Sequence, residues 1–254
     1  MNMVKPKKHL GQHFLRNDEI CERISDALSV SKEPRKTLEI GPGTGALTKH
    51  LLKRKDVDLE VVELDRESVA FLNKHYPELN GRVHESDFLQ MPLDELFSTP
   101  VAVIGNFPYN ISSQILFKVL DYKDLVPEVV GMFQKEVAER ITSDSGTRDR
   151  GILSVFIQAY YAVEYLFTVD ENEFLPPPKV KSGVIRLVRN NIAELPCDEK
   201  FFRVLVKTGF NQRRKTLRNS IRGLAGYHAD LPFMDKRPEQ LSVNQWVALA
   251  TAFL

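Results

Sequence analysis

The chain has 254 residues, 43% of them hydrophobic, and a formal net charge of +1 at pH 7. That length suits one large core, or a large domain with a small companion. Cys21 and Cys197 are the only cysteines, which excludes a disulfide framework. No apolar run opens the chain as a secretory signal or reaches the length of a membrane span, and no Cys/His pairs stand at zinc-ligand spacing. The expectation is a cytoplasmic protein with neither a membrane nor a metal among its partners.

The N-terminal "KPKKH" (residues 5–9) is basic. After residue 36, strand-like and helix-like stretches alternate. "TLEI" is a short apolar strand running into glycines, and "ALTKHLLKR" reads as helix, with Leu47 and Leu51 one turn apart. "VDLEVVEL" is a second strand, "ESVAFLNKHY" a helix, "RVHES" a third strand and "VAVIGN" a fourth. "SSQILFKVL" places Ile115, Leu116, Val119 and Leu120 on one helical face, and "EVVGMFQ" is a fifth strand. Strands alternating with crossover helices predict a parallel sheet covered on both sides. "TSDSGTRDRG" (142–151) is a polar loop, "ILSVFIQAYY" a helix, and "AVEYLFTV" and "SGVIRLVR" a strand pair around "DENEFLPPPKVK". Past a linker near residue 190, short helices run to the end. The expected organisation is a doubly wound α/β domain over 1–190 and a small helical domain over 191–254. Residues 200–222 hold eight Lys or Arg and no acid, a local surplus that suggests a polyanion-binding face.

"LEIGPGTGAL" sets Gly41, Gly43 and Gly45 between a strand and a helix. Glycine allows a sharp turn and close approach of a ligand, and the helix start offers free N–H groups. Glu63 follows 22 residues after Gly41 at the end of the second strand, where a carboxylate can accept both hydroxyls of a ribose. Gly41, Gly43 and Ala46 also satisfy G-x-G-x-x-G/A. The glycine loop therefore leaves two classes open, a nicotinamide dehydrogenase and an S-adenosylmethionine methyltransferase. Asp87, after the third strand, can accept an adenine amine, although an Asp there also suits a helix cap.

"GNFPY" decides more. Asn106 ends the fourth strand at the rim where α/β sheets bind ligands, and its amide oxygen is an acceptor. Pro108 holds Phe107 extended, which fixes the direction of the Phe107 carbonyl. Tyr109 adds a flat ring for stacking. Two acceptors beside a stacking ring suit the exocyclic amine of a purine. The adenine amine is a poor nucleophile because its lone pair is delocalised. Holding its hydrogens favours a pyramidal nitrogen, so catalysis is mainly orientation and electrostatics. With a sulfonium as the electrophile, no metal is required.

On "HLGQHFL", "EIGPGTGALT", "VELDRE", "SDFL", "GNFPYNIS", "QKEVAERI", "FLPPPKVKSGVIRL" and "FNQRRKTLRNS", the chain resembles the rRNA adenine N6,N6-dimethyltransferase family over nearly its whole length. The likeness is greatest to the small-subunit (16S) branch linked to kasugamycin sensitivity. The resemblance implies a Rossmann-like methyltransferase sheet with a small C-terminal helical domain, and S-adenosylmethionine as the methyl donor. It places the donor's contacts on His13, Leu15, Gly41, Glu63, Asp87 and Asn106. Position 13 is often Asn in the family, and "NFPY" stands for the commoner "NLPY". Asn106, Phe107, Pro108, Tyr109 and Phe174 become the catalytic set, with Phe174 as the second aromatic wall of the adenine pocket. Arg213, Arg214, Lys215 and Arg218 become an RNA-binding helix face.

The activity implied is dimethylation of two adjacent adenosines near the 3′ end of small-subunit rRNA, by a monomer acting on an assembling small subunit. Two rivals stand beside it. One is a resistance methyltransferase of large-subunit rRNA, which resembles "LGQHFL" and "FNQRRKTLRNS" less. The other is a non-catalytic assembly factor, against which the intact Asn106–Tyr109 motif argues.

Overall fold

The β-branched runs of the sequence become strands because a pleated, doubly covered sheet accommodates stiff side chains on both faces. The structure, a computed structural model, describes residues 4–7 and 10–253. Its elements in chain order are β1 (Phe14–Leu15), α1 (Asp18–Asp26), β2 (Arg35–Ile40), α2 (Thr48–Leu51), β3 (Val57–Glu63), α3 (Arg66–His75), β4 (Val83–Glu85), α4 (Leu93–Leu96), β5 (Ala102–Asn106) and α5 (Ser112–Asp121). Then follow β6 (Glu128–Gln134), α6 (Lys135–Thr142), α7 (Ile152–Tyr160), β7 (Tyr161–Val169), β8 (Phe174–Leu175), β9 (Ser182–Arg189), α8 (Glu199–Asn211), α9 (Leu217–Ser220) and α10 (Val243–Ala252). Of the basic stretch at residues 5–9, Lys8 and His9 lie outside the described residues.

Seven strands form one sheet in the order β4-β3-β2-β5-β6-β9-β7, and β1 pairs with β8 separately. β2 pairs in parallel with β3 on one side and β5 on the other, β6 is parallel to β5, and β9 is antiparallel to β6. This is the Rossmann-like sheet expected from the alternation. Val103, Ile104, Val129 and Val130 are fully buried in its centre. The chain leaves β2 to one side and returns to the other, so the carboxyl ends of β2 and β5 flank a topological switch point.

Local chemistry sets the helices. Asp65 caps α3 by accepting from the Glu67 N–H at 3.2 Å, and Lys74 and His75 close its last turn, with the Asp65 and Lys74 charges matching the helix dipole. The run "ALTKHLLKR" is helical only over Thr48–Leu51. Past it, Lys53 and Arg54 donate to carbonyls three residues back, the tighter pattern of a terminating helix. At the amino end of β6, away from the switch point, buried Glu128 accepts from Arg35 at 2.7 Å, Arg186 at 2.8 Å and Ser29 at 3.0 Å. That closed ion cluster is satisfied on both oxygens.

The chain divides into two compact units. One holds the residues up to Ala138 together with Glu164–Arg189; the other holds Glu139–Val163 together with Asn190 onward. The single boundary near residue 190 that the sequence suggested thus misses 139–163. The reason is α7, which buries Leu153, Val155, Phe156 and Ile157 and needs cover on several sides. It packs with α8 and α10, and Phe156 meets Phe202 with ring centroids 6.0 Å apart.

Candidate active site

An open cavity lies at the switch point, walled by stretches that begin at Leu10, Ile40, Val62, Ser86 and Asn106. It brings together His13, Gly41, Glu63, Asp87, Asn106, Phe107, Pro108 and Tyr109, residues far apart in sequence.

The glycine turn shapes one wall. Gly43 has φ +56°, and a Cβ there would stand 2.8 Å from the Phe14 ring, so only glycine fits without strain. The Gly43 N–H donates to Glu63 Oε2 at 3.0 Å and the Asp65 N–H donates to Oε1 at 2.8 Å. Glu63 is buried, and each of its oxygens keeps one lone pair. Two fixed acceptors side by side match a vicinal diol. Burial raises the Glu63 pKa above the usual carboxylate value, while the Asp65 and Gly43 N–H groups pull it back. Nearby in β2, Glu39 accepts from Thr48 Oγ1 at 2.7 Å, and burial pushes its carboxyl up to about 8.

The opposite wall is the end of β5. Asn106 Nδ2 donates to the His13 carbonyl at 2.9 Å. A carbonyl only accepts, so this bond fixes which end of the amide is nitrogen and leaves Oδ1 as the free acceptor. The Phe107 ring is fully buried, lies against Gly131 and meets Phe133 edge-on at 5.2 Å and 83°. With its ring in the core, Phe107 has its backbone to offer the cavity. Tyr109 stacks with His13 at 5.6 Å and 25°. Asp87 caps a short 3-10 turn by accepting from Leu89 N–H at 2.9 Å, and it lines the cavity as well.

Two residues of the expected set lie elsewhere. Leu15, in β1, is buried beside a smaller hollow shared with Gly41 and Asn106. Phe174 is 2% exposed, opposite Leu15 in the β1–β8 pair and packed in a core cluster with Cys21 and Ile24. Burying such a ring stabilises by roughly 1.5–3 kcal/mol, and Phe174 is not among the residues that line the cavity. Sequence reasoning missed Leu64 and Phe88, which add apolar lining. Their positions, next to Glu63 and Asp87, were the available signal. It also missed the tie between the N-terminal stretch and α3: Lys7 Nζ pairs with Asp65 at 2.5 Å, and Gln12 Nε2 donates to the same carboxylate at 3.4 Å.

The basic run falls in the second unit and is not one helix. Residues 212–216 form a turn between α8 and α9. The Leu217 and Arg218 N–H groups donate to Lys236 and Met234 carbonyls at 2.8 and 2.9 Å, so the loop there replaces the bonds a continuous helix would make. Arg213 and Arg214 line an open cleft with Arg148, Arg237 and Glu239. Lys215 is exposed outside that cleft, and Arg218 pairs with Asp235 at 3.1 Å.

Charge separates the two classes the glycine loop left open. Glu63 and Asp87 line the first cavity, and none of its described lining residues is Lys or Arg. An anionic pyrophosphate is poorly served there and a cationic sulfonium well served. Among the described residues, no group of three His, Cys, Asp or Glu is placed to hold a metal ion, and no helix is long and apolar enough to cross a membrane.

The sheet order and the acidic cavity at its switch point are those of a Rossmann-like, S-adenosylmethionine-dependent methyltransferase. Within that class, a match to the ribosomal RNA adenine dimethylase family spans residues 3–251, and the chain belongs to that family. It is 58% identical to ribosomal RNA small subunit methyltransferase A of Parabacteroides distasonis, over 98% of this chain and 94% of that protein. It is 56% identical to the protein of the same name from Porphyromonas gingivalis, over 98% of each. Among solved structures, a dimethyladenosine transferase from Plasmodium falciparum superposes with a TM-score of 0.79 at 25% identity, covering 95% of this chain and 97% of that one. The 23S rRNA methyltransferase ErmE gives 0.68 at 26% identity, covering 94% and 99%.

Proposed function

We propose that this rRNA adenine dimethyltransferase methylates the N6 amines of two adjacent adenosines in a 3′-terminal loop of small-subunit rRNA, each of them twice. The protein acts as a cytoplasmic monomer on an assembling small subunit and uses no metal. The observation that carries the reading is the Asn106 carboxamide, pinned by the His13 carbonyl so that Oδ1 is left as an acceptor beside Tyr109. The small-subunit relatives outrank the 23S enzyme in identity by a factor of two, which favours that substrate over a large-subunit one.

Glu63 holds the ribose diol of the donor, Asp87 takes the adenine amine of the donor, and the glycine turn lets the donor approach the protein backbone closely. When bound, S-adenosylmethionine supplies a methyl group that is electrophilic because it sits on a sulfonium. Asn106 Oδ1 and the Phe107 carbonyl accept the two N6 hydrogens of the target base, and Tyr109 stacks on its ring. Together they hold the nitrogen lone pair in line and stabilise the positive charge that develops on it. A loop adenine is already partly unstacked, so extruding it costs little. In the second unit, Arg148, Arg213, Arg214 and Arg237 meet backbone phosphates, which position the RNA without reading its bases.

The test is mass spectrometry of rRNA nucleosides with and without the gene, paired with single-turnover transfer to immature small subunits. Dimethyladenosine should disappear with the gene, and Tyr109→Ala should slow transfer strongly while keeping donor affinity within a few fold. Normal turnover in that variant rejects the adenine pocket.

A further inference from the structure

The ring that orients the base must itself be oriented, and the sequence motif does not say how. Tyr109 follows β5 on a turn closed by the Ile111 N–H donating to the Pro108 carbonyl at 3.1 Å. A turn fixes the backbone but leaves the two side-chain torsions of a tyrosine free to move. Two contacts remove that freedom. The His13 imidazole stacks on the ring, and it is tied in turn by its Nδ1 to the Pro176 carbonyl at 2.8 Å. At the far end of the ring, the Tyr109 hydroxyl shares a 2.5 Å hydrogen bond with Ser182 Oγ.

Ser182 is fully buried and opens β9, where it pairs with Gln134 of β6 in the central sheet. A hydroxyl anchored in a seven-stranded sheet is a rigid reference point, unlike one on a loop. The Tyr109 hydroxyl is drawn into the protein and its pKa is raised by desolvation, so it stays neutral and able to share its hydrogen. Resting on the proposed adenine pocket, we infer that Ser182 is a positioning residue for methyl transfer: it sets the plane of Tyr109, and through that plane the attitude of the target adenine.

Losing one neutral hydrogen bond of this kind slows a step that depends on alignment by roughly three- to tenfold. Ser182→Ala should therefore lower single-turnover transfer by that factor, with S-adenosylmethionine affinity and RNA KM unchanged. Ser182→Thr, which keeps the hydroxyl, should restore most of the rate. Tyr109→Phe removes the same bond from the other side with the ring intact and should give the same loss. The double variant should be no worse than either single one, because one bond cannot be lost twice. If Ser182→Ala does not fold, Tyr109→Phe carries the measurement alone. A normal rate in Ser182→Ala, a normal rate in Tyr109→Phe, or additive losses in the double variant overturn the inference. Tyr109→Ala runs beside them: if it transfers normally, the pocket reading itself fails, whereas a slow Tyr109→Ala with a normal Ser182→Ala sinks only the role of Ser182.

Discussion

The switch-point cavity and the arginine cleft of the second unit are built on opposite plans. In the cavity Glu63, Asn106 and Asp87 are each held by a backbone partner: Glu63 by the Gly43 and Asp65 N–H groups, Asn106 by the His13 carbonyl, Asp87 by the Leu89 N–H. In the cleft, Arg148, Arg214 and Arg237 are exposed, and long side chains in water keep their rotamer freedom. The first plan gives geometry, which bond-making requires. The second gives charge, which suffices for phosphates whose exact placement matters less. The two should answer to different perturbations: the cavity to removal of single atoms and to pH, the cleft to ionic strength.

The sharpest break is Asn106→Ala. It deletes a fixed acceptor aimed at developing charge, for which losses of about 10²–10³-fold are typical. Single-turnover transfer should fall by that much; a loss under about fivefold would mean that orientation at Asn106 is unimportant. Next is Glu63→Ala. Charge-assisted hydrogen bonds contribute roughly 1.5–3 kcal/mol each, so S-adenosylmethionine affinity should drop by about tenfold or more. Titration calorimetry on the folded variant measures it, and affinity for small subunits should stay the same.

How far the sequence reached differs between the same two regions. The strands, the glycine turn, Glu63, Asp87 and the Asn106–Tyr109 corner were legible because each is local: a β-branched run, a turn that needs glycine, a carboxylate at a strand end. The contacts that hold these residues in place were not, because they are long-range. The His13 carbonyl on Asn106 and the Lys7–Asp65 tie span 93 and 58 residues, and no period or motif announces them. The burial of Phe174 was hidden for a related reason. An aromatic beside a proline loop reads as a binding ring, and only the β1–β8 pairing turns it into the core. In the second unit, helical periodicity carried through residues 212–216, but α8 stops at Asn211 and the Leu217 and Arg218 N–H groups turn to the Lys236 and Met234 carbonyls.

In the unit that holds the cavity, Glu39 carries a pH response of its own. Its folded pKa of about 8 lies above the ordinary 4.5, so the stability it contributes is complete below the unfolded value and is lost as pH rises to the folded one. Glu39→Gln keeps an acceptor for Thr48 and cannot ionise. Its stability relative to the parent should climb between about pH 4.5 and 8 and level off above, by up to about 5 kcal/mol in all. Denaturant melts at pH 5 and pH 8.5 test this; a difference that is flat with pH, or larger at pH 5, contradicts a buried neutral carboxyl.

The smallest effect at physiological salt should come from the cleft, and it sharpens the contrast most. Arg213 and Arg214 share the cleft with Arg148 and Arg237, so removing two of four cations weakens the field without abolishing it. Each phosphate contact contributes about 0.7–0.9 to the slope of log affinity against log salt. Arg213→Ala with Arg214→Ala should flatten the slope for small-subunit binding by about 1.4–1.8 if both meet phosphate. Arg218→Ala should flatten it less, because Arg218 is already paired with Asp235 and releases fewer counterions on binding. Donor affinity should not move in either variant. The measurement is subunit affinity across a salt series beside donor affinity in one buffer. An unchanged slope in the Arg213/Arg214 variant assigns the RNA face to other cations; an unchanged slope with slowed transfer would instead give these arginines a role in geometry and erase the distinction between the two regions.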